Sequence, residues 1–211
     1  MRVKICGLTQ TQQAIETVNL GASSIGFICV KRSPRYITPQ KIKEIVLSLP
    51  SHVDKVGVFA DSDLAEITQV VTISGLTSVQ LHGAESPDLC DRLRQELPNN
   101  TELIKAFRIK TAASLQDTEL YANLVDTLLL DAYHPQILGG TGHTIDWSDL
   151  KQFKPSLPWM LAGGLNPNNL NDALSRLQPD GIDLSSGVER SPGDKDIQKV
   201  KQLFQQLASV R

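Results

Sequence analysis

The sequence has few cysteines, and none of them are paired by spacing. Its 211 residues include Cys6, Cys29 and Cys90, and no two of these are arranged as CxxC. An odd and sparse set of this kind predicts neither a disulfide framework nor a zinc site, and it is typical of a protein of the reducing cytoplasm. The four histidines form no HExxH pattern, so we expect no metal site.

Long apolar runs and blocks of positive charge are also missing. No stretch approaches the roughly 18 apolar residues that span a bilayer, and the N-terminus lacks the apolar segment of a signal peptide. With no basic block and a formal net charge of −2, nucleic acids and anionic membranes are poor candidates as partners. A small anionic ligand stays open, because a few local Arg or Lys residues suffice to bind one.

Linkers and low-complexity segments are absent too, so we expect residues 1–211 to form one domain. Eight short apolar runs recur along the chain, and their starts lie 21 to 32 residues apart. Strands that alternate with helices at this spacing predict a parallel sheet, and eight of them fit a closed (β/α)8 barrel. An open, doubly wound sheet is the alternative, although it usually has five or six strands. The runs are residues 3–6, 24–28, 55–59, 78–81, 103–107, 127–130, 159–162 and 181–184.

Helix signals lie between these runs. Ser62 or Asp63 is a suitable cap for a helix that extends to about Val71, and Ser86 followed by Pro87 marks the start of another. Further helices are predicted over residues 9–20, from residue 166 through 177, and from Asp194 through about residue 208.

Two candidate catalytic residues follow strands. In a (β/α)8 barrel the active site lies at the carboxyl ends of the strands, so residues just after each run should converge. Cys6 ends the first run beside Gly7, and a thiol there could act as a nucleophile or base, although most cysteines are simply small buried hydrophobic residues. Asp131 ends the sixth run after three leucines, where a carboxylate serves chemistry or caps a helix. Asp183 lies inside the eighth run and must face the mouth or find a partner.

Three glycine-bearing segments predict a phosphate site. They are residues 139–142, 162–165 and 185–188, and they follow runs six, seven and eight. Glycine lets main-chain N–H groups approach an anion, and the loops after strands seven and eight are where such barrels commonly bind phosphate. Simple turn chemistry is the alternative for any one of them. Arg35, in a loop after the second run, is a candidate for carboxylate binding or for plain solvent exposure.

Taken together, these segments resemble the phosphoribosylanthranilate isomerase family. The resemblance covers the whole chain in order. It rests on residues 3–9, 33–37, 79–83, 129–131, 139–147, 161–165 and 181–189.

The resemblance implies an isomerase of tryptophan biosynthesis that needs no cofactor or metal. It implies an Amadori rearrangement of a phosphoribosyl anthranilate, with Cys6 as general base and Asp131 as general acid. Arg35 would bind the anthranilate carboxylate and Asp183 its amino nitrogen. The phosphosugar's phosphate would be held by Gly163, Gly164, Ser186 and Gly187. We expect a monomer or a homodimer, and the sequence does not choose between these because outer helix faces serve both. An indoleglycerol-phosphate synthase and a non-catalytic phosphosugar-binding barrel remain as alternatives.

Overall fold

The computed structural model describes residues 1–109, 112–132 and 150–209. Eight parallel strands close into a barrel in which each strand pairs with the next, and β8 pairs with β1. The predicted (β/α)8 fold is thereby confirmed. The strands are β1 Arg2–Cys6, β2 Ser24–Ile28, β3 Asp54–Phe59, β4 Ser78–Leu81, β5 Glu102–Ile109, β6 Thr127–Ala132, β7 Trp159–Ala162 and β8 Gly181–Leu184.

Helices connect the strands. Within the described residues none is long and apolar enough to cross a membrane. The α-helices are α1 Thr11–Asn19, α2 Pro39–Val46, α3 Leu64–Ser74, α4 Pro87–Glu96, α5 Leu170–Arg176 and α6 Ile197–Ser209. Two 3₁₀ helices, Ala112–Tyr121 and Ser186–Val188, and a small hairpin of β9 Glu189–Ser191 with β10 Asp194–Lys195 complete the described structure.

Side-chain caps explain where the outer helices begin. The Asp63 carboxylate accepts a hydrogen bond from the Glu66 amide at 2.8 Å, and the Ser86 hydroxyl accepts one from Leu89 at 3.2 Å. Both caps satisfy amides that have no partner in the first helical turn, as the sequence predicted. Thr38 caps α2 in the same way, ahead of Pro39. The sequence carries that signal as well, although we made no prediction from it.

The start of the last helix was predicted wrongly. Asp194 belongs to β10, and its carboxylate accepts hydrogen bonds from Arg190 and Gln13 rather than from a helix. The helix begins at Ile197, after Asp196, whose carboxylate accepts from the Gln198 amide at 3.0 Å. Asp194 and Asp196 are both suitable helix caps by residue type. Asp194 is instead part of the β9–β10 hairpin, so the helix begins after Asp196.

Side-chain alternation along the strands separates two apolar layers. Most of the core lies between the barrel and its helices and includes Val3 and Ile5 of β1. A smaller cluster fills the barrel interior and consists of Val56, Ile104, Ala106, Leu129, Met160 and Ala162. Because successive strand residues point to opposite faces, Lys4 and Cys6 project into the interior. The barrel centre is thus apolar on β3, β5, β6 and β7, and polar on β1.

An ionic cluster closes the amino-terminal end of the barrel. Arg2 of β1 donates to both carboxylate oxygens of Glu102 on β5, with Nη2 2.7 Å from Oε2, and lies 3.1 Å from Asp54. Burial acts to raise the pKa of Glu102, but the hydrogen bonds and charge of Arg2 outweigh it, so this pKa ends below its ordinary value. The Arg2–Glu102 pair therefore links β1 to β5, which lie on different sides of the barrel.

Replacing Glu102 with Gln should destabilise the fold by about 1–3 kcal/mol at neutral pH, because Arg2 then keeps a partly buried charge without its partner. A carboxylate whose folded pKa is depressed stabilises the protein above its unfolded pKa of about 4.3, and this contribution is lost as pH falls through the folded pKa. Urea unfolding at a series of pH values should show the difference between the two proteins shrink below about pH 4. Asp88→Asn, which removes an exposed pair, is the control and should change little. If the difference in unfolding free energy between wild type and Glu102→Gln did not depend on pH, this explanation would be wrong.

Candidate active site

A cavity of about 270 Å³ opens at the carboxyl ends of the strands. It brings together seven of the eight site residues predicted from the sequence. These are Cys6, Arg35, Asp131, Gly163, Gly164, Asp183 and Ser186. Gly187 is not among the residues that line it. None of the described lining residues is a lysine, whereas the indoleglycerol-phosphate synthase alternative relies on lysines at strand ends.

Cys6 is the last residue of β1 and is 5% exposed. Gly26 of β2 makes room for it, since a Cβ at that position would come within 2.7 Å of Sγ. Burial raises the pKa of the Cys6 thiol, and the charges around it do not cancel that effect. Burial also raises the pKa of Cys29 to about 12 and that of Cys90 to about 11. Only Cys6 faces the cavity, so position rather than acidity distinguishes the three thiols.

Asp183, on β8, lies beside the end of β1 that carries Cys6. Its Oδ2 accepts a hydrogen bond from the Lys4 ammonium at 2.9 Å, while Oδ1 is buried without a partner in the described part of the chain. The Lys4 pair fixes the orientation of the carboxylate. A buried acceptor that lacks a partner is costly unless a bound molecule supplies a donor. Asp183 can therefore accept a hydrogen bond from a ligand in the cavity.

Asp131 lies at the end of β6, and a polar chain leads to it from β4. Its Oδ2 is 3.2 Å from Nε2 of His82, and Nδ1 of His82 is 2.9 Å from Nε2 of Gln80. The Gln80 side-chain amide donates a hydrogen bond to Nδ1 of His82. A neutral His82 ring then carries its proton on Nε2, from which it can donate a hydrogen bond to Asp131. The chain thus orients the Asp131 carboxyl group toward the cavity mouth.

Arg35 reaches the cavity across the end of β1. A Cβ at Gly7, whose φ is +82°, would lie 2.8 Å from the Arg35 side chain, so glycine is needed for this crossing. The Nε and Nη2 atoms of Arg35 donate to the buried carboxylate of Glu189, at 3.0 and 2.6 Å. Glu189 also accepts from Lys195 at 2.7 Å. Among the described residues no partner is seen for Nη1, so this end of the guanidinium can bind another carboxylate.

The loops after β7 and β8 form the opposite wall. Gly163 and Gly164 have φ of +93° and +67°, a left-handed conformation that favours glycine. The carbonyl oxygen of Gly164 accepts from the side-chain amides of Asn166 and Asn169 at 3.1 and 3.0 Å. Holding this oxygen with two donors reduces its repulsion of a nearby anion. Gly187 packs against the Leu165 backbone, where a Cβ would overlap the carbonyl oxygen, and so brings the two loops together.

Some predicted features lie outside the described residues. The third glycine segment, residues 139–142, is the main one. In the described part, no group of three or more His, Cys, Asp or Glu side chains could hold a metal ion.

Sequence reasoning gave no role to four side chains that support the site. They are Lys4, Gln80, His82 and Glu189. Lys4 was available from strand alternation, because it lies two residues before the candidate Cys6 on the same face. Glu189 could not be found this way, since it meets Arg35 across 154 residues of sequence.

A family model described as N-(5′-phosphoribosyl)anthranilate (PRA) isomerase matches residues 3–206. The chain therefore belongs to the N-(5′-phosphoribosyl)anthranilate isomerase family. Among curated relatives, the isomerase of Gloeothece citriformis is 59% identical over 98% of this chain and 94% of its own length. That of Trichormus variabilis is 57% identical over 99% of both chains. Family membership identifies the chain as an isomerase and agrees with the resemblance read from its motifs.

Solved structures agree with the sequence relatives. The Thermotoga maritima enzyme superimposes with a TM-score of 0.88 at 34% identity, and 99% of each chain is covered. A further structure of a phosphoribosyl anthranilate isomerase, with a TM-score of 0.84 at 32% identity and 99% coverage of both chains, contains reduced 1-(o-carboxyphenylamino)-1-deoxyribulose 5-phosphate. Another similar structure is of monomers generated from the dimeric T. maritima enzyme. It is 31% identical to this chain, with a TM-score of 0.82 and 99% coverage of both chains.

Proposed function

We propose that this chain catalyses the Amadori rearrangement of N-(5-phospho-β-D-ribosyl)anthranilate in tryptophan biosynthesis, by general acid–base catalysis and as one catalytic domain of residues 1–211. The observation that carries the proposal is a single cavity lined by a thiol, a carboxyl group, a guanidinium and a glycine loop. These four groups match the four demands of the substrate: a base, an acid, a carboxylate partner and a phosphate site.

The proposed reaction moves one proton to the substrate and one away from it. Asp131, in its protonated form, donates a proton to the furanose ring oxygen as the bond from that oxygen to C1′ breaks, and C1′ and the anthranilate nitrogen become an iminium ion. Cys6, as thiolate, then removes the proton from C2′ to give an enolamine. The enolamine tautomerises to the ketone. Since the iminium acidifies the adjacent C–H bond, a thiolate is a sufficient base.

The raised pKa of Cys6 is compatible with this role. Burial keeps the thiol protonated in the empty site at neutral pH. When the sugar opens, a positive iminium forms beside Cys6. This nearby opposite charge favours the thiolate, and the thiol proton is released to solvent. The base is thereby activated by the intermediate on which it acts.

The two ends of the substrate would be recognised by different chemistry. Arg35 presents its Nη1 end to the anthranilate carboxylate, while Glu189 holds the other edge of the guanidinium. The free Oδ1 of Asp183 accepts from the anthranilate N–H. The phosphate lies against the main chain of Gly163 and Gly164 and beside Ser186, with Gly187 keeping the two loops close. A relative bound to a reduced product analogue with the same carboxyphenyl and phosphate ends supports this assignment.

Replacing either proposed catalytic residue should abolish the activity while keeping the fold. Cys6→Ala and Asp131→Asn should each lower kcat by about 10²–10⁴-fold, the usual contribution of a general acid or base. Cys90→Ala is the matched control, because Cys90 is equally buried but lies away from the cavity. We expect the wild type and this control, but neither active-site variant, to complement a tryptophan auxotroph that lacks the isomerase. Failure of the wild type to do so, with the protein expressed and folded, would refute the proposed function.

Arg35→Lys should raise KM and leave kcat less affected, because a lysine cannot form the same two-point pair with a carboxylate. Steady-state kinetics with the natural substrate and with an analogue that lacks the carboxylate separate this role from a general disturbance of the site. The loss should shrink markedly for the analogue. If both substrates lose equally, Arg35 does not recognise the carboxylate.

Gly164→Val should weaken phosphate binding more than Ser186→Ala does. The first change adds a branched side chain to a left-handed position beside the proposed phosphate, whereas the second removes one exposed hydroxyl and leaves the main chain in place. Inorganic phosphate, titrated by calorimetry as a competitor of substrate, provides the measurement. Gly164→Asn, which tolerates the same φ, controls for backbone strain. A Gly164→Val variant with wild-type phosphate affinity would remove the phosphate from this loop.

A further inference from the structure

We propose that Lys4 is a positioning residue that holds a positive charge beneath Cys6 and thereby governs how readily the Cys6 thiol gives up its proton. The catalytic meaning of this inference rests on the proposed role of Cys6 as base. Lys4 and Cys6 are two residues apart on β1, so strand alternation points both side chains into the barrel. Val3 and Ile5 point the other way and belong to the outer core.

Lys4 is 0% exposed, which is unusual for a lysine and costly without compensation. Its ammonium lies 2.9 Å from Oδ2 of Asp183, its register partner on β8. The rest of the barrel interior offers mainly apolar side chains. Lys4 does not line the cavity, so it would act on Cys6 and Asp183 and not on the substrate itself. A barrel that needed only a filled centre would gain more from an aliphatic residue at this position.

The ammonium remains charged in this setting. Burial acts to lower the pKa of Lys4, but the neighbouring Asp183 and Cys6 outweigh burial and leave that pKa above its ordinary value. For the Cys6 thiol, burial raises the pKa, the nearby Lys4 ammonium opposes this effect, and the Asp183 carboxylate acts in the same direction as burial. Lys4 is therefore the strongest of the groups that favour the thiolate.

Other ionisable groups also surround Cys6. Lys195 of β10 lowers the pKa of its thiol more weakly than Lys4 does. Arg35, from the loop after β2, and Cys29 interact with the Cys6 charge as well. Lys4 lies two residues from Cys6 on the same strand and the same face, whereas Lys195 and Arg35 approach from other elements.

An electrostatic role and a merely structural role predict opposite results. If Lys4 only fills space, its removal loosens the site, admits water and lowers the Cys6 pKa toward the value of about 8.5 for a free thiol. If its charge favours the thiolate, its removal raises that pKa further. An opposite charge within about 4–6 Å shifts a pKa by about one to three units.

The test measures the rate at which iodoacetamide alkylates Cys6 as a function of pH, without substrate. Mass spectrometry of the Cys6 peptide separates its signal from Cys29 and Cys90. Two matched pairs isolate Lys4. They are wild type against Lys4→Met, and Asp183→Asn against the double variant Lys4→Met, Asp183→Asn. The second pair never leaves a buried carboxylate without its ammonium, so it stays informative if Lys4→Met alone fails to fold. Lys55→Met, at another buried strand lysine whose ammonium donates to main-chain carbonyls, is the control.

We expect alkylation of Cys6 at a fixed pH near 8 to slow about 10- to 1000-fold on loss of Lys4 in each pair. Asp183→Asn alone should accelerate it, and Lys55→Met should leave it unchanged. Equal or faster alkylation of Cys6 on loss of Lys4 in the first pair would overturn the inference, as would the same result in the second pair if Lys4→Met alone does not fold. The proposed function is tested separately by turnover of Cys6→Ala. If that variant keeps full turnover, the proposed function is wrong, whatever effect Lys4 has on the thiol.

Discussion

Where the barrel closes, the ammonium of Lys4 on β1 meets the carboxylate of Asp183 on β8 at 2.9 Å. Two full charges buried inside the barrel are tolerated only when they are paired. The same contact occupies one oxygen of Asp183 and leaves the other free to face the cavity. It also places a positive charge beside Cys6. The geometry of the proposed base and of a proposed substrate contact thus depends on one buried ion pair.

The other proposed functional groups are supported in a similar way by polar residues behind them. Glu189, itself paired with Lys195, fixes the guanidinium of Arg35. Gln80 and His82 orient Asp131. A side chain held by packing and hydrogen bonds needs little reorganisation when substrate binds, which favours both affinity and rate. The exposed surface of the cavity therefore accounts for only part of the active site.

Much of the fold followed from the sequence because strand and helix signals were local and consistent. Four strands, among them Ser24–Ile28 and Trp159–Ala162, have the predicted bounds. The start of the last helix was wrong because Asp194 and Asp196 carry equal local signals and the β9–β10 hairpin decided between them. Local propensity cannot decide such a choice, which depends on contacts with Arg190 and Gln13.

The candidate site could be predicted as far as strand ends could be recognised. Cys6, Asp131 and Asp183 were found because parallel strands in a barrel end at the same face. The role of Arg35 came from family resemblance, since a loop residue has no position fixed by strand register. Glu189 and Gly26 were missed because their importance arises from contacts across the barrel, which neither spacing nor composition records.

The most direct test of the central claim is a crystal structure of this protein with the reduced product analogue, 1-(o-carboxyphenylamino)-1-deoxyribulose 5-phosphate. We expect its phosphate between the loops that contain Gly164 and Ser186, and its carboxylate on Arg35. Cys6 should then face C2′, with Asp131 near the oxygen at C4′ that closes the sugar ring in the substrate. An analogue bound in the opposite direction, or with C2′ far from the thiol, would contradict the assignment of Cys6 and Asp131 as base and acid.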